Sequence, residues 1–213
     1  MSKLTNNLAE TAENYFDNSL LEITDTIFEE ILKAIPLASS GLAIYNVFKS
    51  YTERQKLKNI LEFIKEGEKL KSGTLFKIFS KQNNLEIGSE LLNALDKTYL
   101  VLQFQMLARI AILYDVKKID HSKFLRYAHI IPKFTSFLLT QLELCYRLHN
   151  ERKNDDDYRI FNHECNGSGQ ELESLGLVTS IATAGGGDFY NGNDELIYFY
   201  ENIYKNKHDR NEY

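Results

Sequence analysis

One apolar stretch, residues 89–114, constrains the fold more than any other part of this chain. Its apolar side chains recur every three or four residues, which is the period of one face of an α-helix. Further apolar residues fill most of the remaining circumference, as in a helix that is central to a core or crosses a membrane. The uncharged run from Tyr99 to Ala108 is only about half of the roughly 20 residues that a membrane span requires. The sequence therefore predicts a buried central helix.

Helical periodicity also precedes this stretch. We expect a first helix over residues 8–35, ended by Pro36 because the residue before a proline is disfavoured in helical geometry. A second helix is expected over residues 42–69, and a short third one over residues 74–82. Together with the central helix, these elements predict a mainly α protein whose residues 1–149 form a multi-helix bundle.

One further helix is expected after the central one, over residues 121–148. Asp120 is placed to cap its first turn. Pro132 lies inside it and should kink it or split it in two, because proline cannot donate the backbone hydrogen bond and clashes with the preceding turn.

The composition changes at residue 149, and the apolar-free run 150–157 is the best candidate for a linker. Beyond it we expect a short α+β module over residues 150–213. The expected order is a helix over 170–175 capped by Gly176, a strand over 177–184, a glycine turn at 185–187, a second strand over 188–192 and a helix over 194–204. This order is that of a winged-helix-like half.

Charge is unevenly distributed along the chain, whose net charge is −5. Residues 1–32 carry seven acidic residues and one lysine, whereas residues 49–81 carry nine basic residues and four glutamates. A basic stretch can bind nucleic acid or an anionic membrane, although a solvated helix face is the commoner explanation. No Lys or Arg lies between Ile160 and Ile203, which disfavours DNA binding through the winged-helix-like module.

The chain has two cysteines, which suggests a reducing compartment, and its first residues show no apolar signal core. We therefore expect a cytoplasmic protein. Sequence templates for nucleophilic, metalloprotease and phosphate-loop sites are missing. His163 and Cys165, with Cys145 and His149 upstream, give only one short ligand spacing, so we interpret them as structural residues. We predict no enzyme, no cofactor and no metal site.

Residues 34–48 form an uncharged segment rich in small and apolar residues, which then turns basic. The favoured interpretation is a tight corner between two helices. The alternative is a membrane-inserting hairpin or an adhesive oligomer surface, since the segment is too short to span a bilayer but long enough to lie in its interface. The candidate interaction surface at this corner comprises Leu37, Leu42, Tyr45, Phe48, Arg54, Lys56 and Lys58.

Two segments of the chain carry a resemblance. One is the Ile35-Pro36 corner with Gly41 and Tyr45, followed by Arg54 and the leucine-rich helix, and the other is the Leu175-Gly176-Leu177 segment with Gly185 and Gly186. Together they resemble parts of small, poorly characterised helical bacterial proteins of prophage and phage-defence loci. The resemblance implies no catalytic residue.

A third segment, Ile119-Asp120 with Phe124 and Arg126, is similar to the beginning of a helix in tellurite-resistance-type helical domains. The phage-defence group has a more apolar Ile-Pro-Ile-Val-Gly corner, where this chain has the sequence from Ile35 to Ser39. This difference weakens a membrane interpretation.

These observations favour a non-enzymatic protein-interaction component of a bacterial antiviral defence or stress-response assembly, bound to a protein partner or to further copies of itself. The alternative is a membrane-perturbing effector that inserts residues 36–48. A third hypothesis is a nucleic-acid-binding accessory protein that uses residues 49–81.

Overall fold

The computed structural model describes residues 51–80, 85–154, 158–181 and 188–206. This part of the chain is mainly helical, with a small three-stranded antiparallel sheet in its C-terminal region. The prediction of a mainly α protein that contains some strand near its C-terminus is therefore confirmed. It divides into two compact units between Pro132 and Lys133. The sequence placed the boundary after residue 149, which lies within a helix of the C-terminal unit.

The N-terminal unit is built around a central buried helix, as the apolar stretch predicts. Ten of its residues between Gln103 and Leu113 are buried, and it contacts the other four helices that the structure describes in this unit. The helices are α1 (Tyr51–Leu70), α2 (Thr74–Ser80), α3 (Leu85–Lys97), α4 (Val101–Asp115) and α5 (His121–Ile130).

The predicted central helix is wrong in one respect, because the structure breaks it between α3 and α4. The Thr98 hydroxyl donates to the Leu95 carbonyl at 2.7 Å and closes α3. The Gln103 side-chain oxygen accepts from the backbone N–H groups of Tyr99 and Leu100 at 3.0 and 2.9 Å. These bonds satisfy donors that would otherwise be unpaired at the start of α4.

The same Gln103 side chain also fixes the end of the N-terminal unit. Its amide nitrogen donates to the carbonyls of Ile131 and Pro132 at 3.2 and 3.1 Å. Asp120 caps α5 as predicted, by accepting from the Lys123 N–H at 2.7 Å. The predicted interruption at Pro132 is confirmed, because a 3₁₀ turn over Ile131–Lys133 separates α5 from the next helix.

The C-terminal unit packs one long helix and several short elements around a small sheet. Its elements are α6 (Ser136–Arg152), β1 (Ile160–Phe161), a 3₁₀ turn (Asn162–Cys165), α7 (Gly169–Ser174), β2 (Val178–Ile181), β3 (Phe189–Gly192), α8 (Asp194–Tyr198) and a π-helix (Phe199–Tyr204). The strands lie in the order β1-β3-β2, and both pairs are antiparallel.

The predicted helix, strand, strand and helix of this module are confirmed, and Gly176 ends α7 with a positive φ of 72°. The predicted glycine turn at 185–187 lies outside the described residues. Strand β1 was not predicted. Over the ranges that the structure describes, we find no helix with both the length and the apolar character needed to traverse a bilayer.

Candidate functional site

The predicted interaction surface is not placed by the structure. Its four apolar members lie outside the described residues: Leu37, Leu42, Tyr45 and Phe48. Its three basic members lie on α1, at positions whose side chains are outside the described part: Arg54, Lys56 and Lys58. The first helix, the apolar corner and the acidic N-terminal stretch are likewise outside it. The site described below therefore comes from the C-terminal unit.

One stripe of α6 holds the segment that carries β1 and the following turn. The stripe comprises Gln141, Cys145, His149 and Arg152, spaced by three or four residues and therefore on one helix face. We call this contact the α6 seam. At one end of the α6 seam, the Gln141 side-chain oxygen accepts a hydrogen bond from the Asn166 side-chain amide at 3.1 Å.

The opposite end of the α6 seam is an ion pair. The Arg152 guanidinium donates to both oxygens of Glu164, at 2.9 and 2.6 Å, and also to the Arg159 carbonyl at 3.2 Å. Glu164 in turn accepts from the Phe161 N–H at 2.9 Å. The hydrogen bonds from Arg152 hold the pKa of Glu164 down at about 2.

The buried His149 makes a third contact of the α6 seam. His149 Nδ1 lies 3.0 Å from the Tyr158 hydroxyl oxygen, which accepts from the Gly192 N–H at 3.0 Å. This relay joins α6 to the end of β3. Burial lowers the pKa of His149, with a further contribution from Lys153, and burial raises the pKa of Tyr158.

Cys145 and Cys165 lie near each other, between the Gln141–Asn166 hydrogen bond and the Arg152–Glu164 ion pair. Both are buried free thiols, at 1% and 0% exposure. A hydrogen bond from Cys145 lowers the pKa of Cys165 to about 7, and the same contact, together with burial, raises the pKa of Cys145. The sequence treated His163 and Cys165 as structural residues. Cys165 is indeed buried, and His163 is exposed on the same turn.

The outer face of the sheet carries an apolar row. Phe189 on β3 is opposite Phe161 on β1 and Ile181 on β2, so the three side chains share one face. The Phe161 and Phe189 ring centroids are 4.9 Å apart, and Phe161 is 41% exposed. The guanidinium of Arg159 lies 5.5 Å from the Phe189 ring centroid. We call Phe161, Phe189 and Ile181 the aromatic row.

The chain segment that carries this row is rich in carboxylates, with Arg159 at its beginning. Between Ile160 and Ile203 the chain has seven carboxylates and no Lys or Arg. On α7, the exposed residues are Gln170, Glu171 and Ser174. Such a surface repels phosphate groups and attracts cationic side chains.

A tyrosine cluster joins α6 to the π-helix at another point of the unit. The rings of Tyr146 and Tyr200 are stacked with centroids 3.7 Å apart. Glu143 accepts from the Tyr200 hydroxyl at 3.3 Å and pairs with Lys205 at 3.0 Å. Burial, followed by the charge of Glu143, raises the pKa of Tyr200 to about 12. The cluster therefore holds the π-helix against α6.

Across the described ranges, no three His, Cys, Asp or Glu side chains come together as a metal-binding group. The arrangement offers a dithiol contact and an exposed apolar surface in an acidic setting.

Comparison with protein-family models, with curated proteins and with solved structures finds no significant match to this chain. The function is therefore argued from the geometry of its own residues.

Sequence reasoning missed both the aromatic row and the thiol contact. Phe161 and Phe189 meet only through strand pairing, and β1 is too short to show an alternating pattern. Cys145 lies in the predicted helix over 121–148, whereas His149 lies just beyond its predicted end; a helix that continues to residue 152 would have indicated a shared face. Nothing in the sequence indicated which segment that face would contact.

Proposed function

We propose that this protein is a non-enzymatic, cytoplasmic interaction component of a bacterial defence or stress-response assembly, and that its C-terminal unit binds a protein partner. The observation that carries this proposal is the aromatic row, whose Phe161 is 41% exposed, in a segment that has seven carboxylates and no Lys or Arg between Arg159 and Ile203. Aromatic side chains are enriched among the residues that dominate binding energy at protein interfaces.

The acidic setting defines the chemistry of the partner. An apolar side chain of the partner would pack on Phe161 and Phe189, and flanking Lys or Arg residues would meet the carboxylates. Complementary charge of this kind increases association rates and selects partners, while the apolar contact supplies affinity.

A winged-helix-like assignment of the C-terminal unit accords with this function. The order helix, strand, turn, helix, strand, strand and the sheet order β1-β3-β2 are typical of winged-helix domains. DNA-binding members present basic residues from the helix that precedes β2. Here that helix, α7, exposes Glu171 in their place. We infer that the unit binds protein rather than DNA.

The test compares two phenylalanines of the same unit. Phe161→Ser removes an aromatic anchor from the row, whereas Phe137→Ser removes a 53%-exposed phenylalanine from α6 and serves as the matched control. The partner is first identified by cross-linking in bacterial cells and then purified, and binding is measured by titration calorimetry with the full chain. Circular dichroism establishes that both variants are folded.

We expect Phe161→Ser to weaken binding by at least about tenfold and Phe137→Ser to leave it unchanged. Equal effects of the two variants, or a chain that forms no discrete complex in cells, would contradict the proposal.

The two alternative functions give different signals. A membrane effector using residues 36–48 would release dye from anionic liposomes, and Leu42→Asp would abolish the release. A nucleic-acid-binding protein using residues 49–81 would shift the mobility of nucleic acid, with an affinity that falls steeply as salt rises. An interaction component gives neither signal.

A further inference from the structure

A glutamate occupies a backbone donor on each outer strand of the sheet. On β1 the Phe161 N–H donates to Glu164 at 2.9 Å, and on β2 the Ser180 N–H donates to Glu173 at 3.1 Å. A partner that paired with either edge as an added strand would have to displace one of these carboxylates. The aromatic row lies on the side-chain face of the sheet, where contact requires no such displacement.

The aromatic row already contacts one guanidinium group. Arg159 lies two residues before Phe161, and its guanidinium carbon is 5.5 Å from the Phe189 ring centroid. This distance is within the ~6 Å at which a cation is attracted to the face of an aromatic ring. The row therefore accommodates an arginine side chain within the chain itself.

Phe161 is the member of the row that a partner can reach most readily. It is 41% exposed, whereas Phe189 and Ile181 are partly buried. Its ring contacts two neighbours, with the Phe189 centroid 4.9 Å away and the His163 centroid 5.4 Å away. These contacts already order the ring, which lowers the entropic cost of binding on its outer face.

A carboxylate stands at the same end of the sheet. Asp188 is exposed and directly precedes Phe189. Its carbonyl accepts from the Asn162 N–H at 3.1 Å, which places Asp188 opposite the residue that follows Phe161. No Lys or Arg lies between Ile160 and Ile203. A cation on Phe161 would therefore be attracted by Asp188 without opposition from a basic residue of this stretch.

We propose that the protein partner presents an arginine whose guanidinium stacks on the outer face of Phe161. The inference rests on the proposed function, since it names the side chain by which the partner contacts the aromatic row. A guanidinium is planar and more weakly hydrated than an ammonium, so arginine suits an exposed ring better than lysine does.

Three synthetic peptides test the proposal on the full chain. Each is a blocked tripeptide with glycine on both sides of a central arginine, lysine or citrulline, and citrulline has the shape of arginine without its charge. Protein with isotope-labelled phenylalanine is titrated with each peptide at constant ionic strength, and the assigned ring signals of Phe161 and Phe137 are followed by nuclear magnetic resonance. Phe137, 53% exposed on α6, is the internal control.

We expect the arginine peptide to shift the Phe161 signals saturably, with a dissociation constant on the order of tens of millimolar. The lysine peptide should bind at least about twofold more weakly, and the citrulline peptide should leave the signals unchanged. A citrulline peptide that binds as well as the arginine peptide, equal shifts at Phe137 and Phe161, or the absence of a saturable shift would each overturn the proposal.

The variant Phe161→Leu separates this proposal from the proposed function. It keeps an apolar side chain in the row and removes the aromatic ring, so it should weaken binding of the cross-linked and purified partner by about two- to fivefold. Full binding by Phe161→Leu together with loss of binding by Phe161→Ser would overturn the arginine contact and leave the proposed function intact. The peptide titrations use the wild-type chain and stand on their own should either variant fail to fold.

Discussion

The buried ion pair of the N-terminal unit permits the sharpest test of the packing described above. Arg109 on the central helix α4 donates from Nε to Glu66 on α1 at 2.7 Å. The side chains are only 10% and 7% exposed, so replacing either one leaves the other charge largely removed from water. Removing one member of a buried pair costs about 3–5 kcal/mol, whereas replacing both by apolar residues is often neutral.

We therefore expect Arg109→Met to lower the free energy of unfolding by about 3 kcal/mol or more. For a unit of this size that corresponds to a melting temperature lower by roughly 12 °C or more. The double variant Glu66→Leu/Arg109→Met should recover most of the loss, since neither charge of the Glu66–Arg109 pair remains.

The matched control is a pair of similar length at the surface. Lys71, the residue after α1, pairs with Asp115 at the end of α4 at 2.9 Å, but their side chains are 35% and 27% exposed. Lys71→Met should cost less than about 1 kcal/mol because solvent screens this pair.

Urea denaturation of the full chain, followed by far-ultraviolet circular dichroism, gives the four free energies of a double-mutant cycle. Equal losses in Arg109→Met and Lys71→Met would refute the argument that burial sets the cost. A double variant as unstable as the single one would also refute it.

Three further predictions concern pH and close packing. The pKa of Glu164 is about 2 in the folded protein and about 4.5 in the unfolded chain. Its contribution to stability is therefore present above pH 4.5 and is lost as the pH falls toward 2. Glu164→Gln should flatten that part of an acid titration followed by circular dichroism. Burial lowers the pKa of His149 in the folded protein, so its contribution to stability is present above the unfolded pKa of 6.5 and declines as the pH falls below that value. His149→Gln should remove this decline in stability between about pH 7 and 5 in the same assay. An unchanged slope would contradict the prediction. Gly169→Ala should lower the free energy of unfolding in urea by about 1–3 kcal/mol, because the new Cβ would lie 2.1 Å from the Tyr190 ring. At Gly88 the atom nearest to a new Cβ is 3.5 Å away, so Gly88→Ala should be neutral or stabilise its helix by up to about 1 kcal/mol.

The long helices were predictable because their apolar residues recur at helical spacing and are buried in the fold. The break between α3 and α4 was not, since the apolar pattern continues through Tyr99 and Leu100. That break is created by the hydrogen bond that the Thr98 hydroxyl donates and by those that the Gln103 side-chain oxygen accepts, and hydrophobic periodicity does not encode side-chain hydrogen bonds.

The candidate site was less predictable than the fold. Strand β1 exists because β3 pairs with it, and two residues are too few for an alternating pattern. The partners of the α6 stripe lie 7 to 25 positions away in the chain, as with Arg152 and Arg159 or Gln141 and Asn166. Such contacts follow from tertiary packing, whereas the sequence shows only that the four side chains share a helix face.

The α6 seam also determines where the chain can change its length. Because four side chains of one helix position the segment with β1, the connection between Arg152 and Tyr158 can gain residues without moving that segment. One residue inserted within α6 between Gln141 and Arg152 would instead rotate every later position by about 100°. The α6 side chains that follow the insertion would then face away from their partners. Length variation among homologous chains is therefore expected in the connection and excluded from the helix.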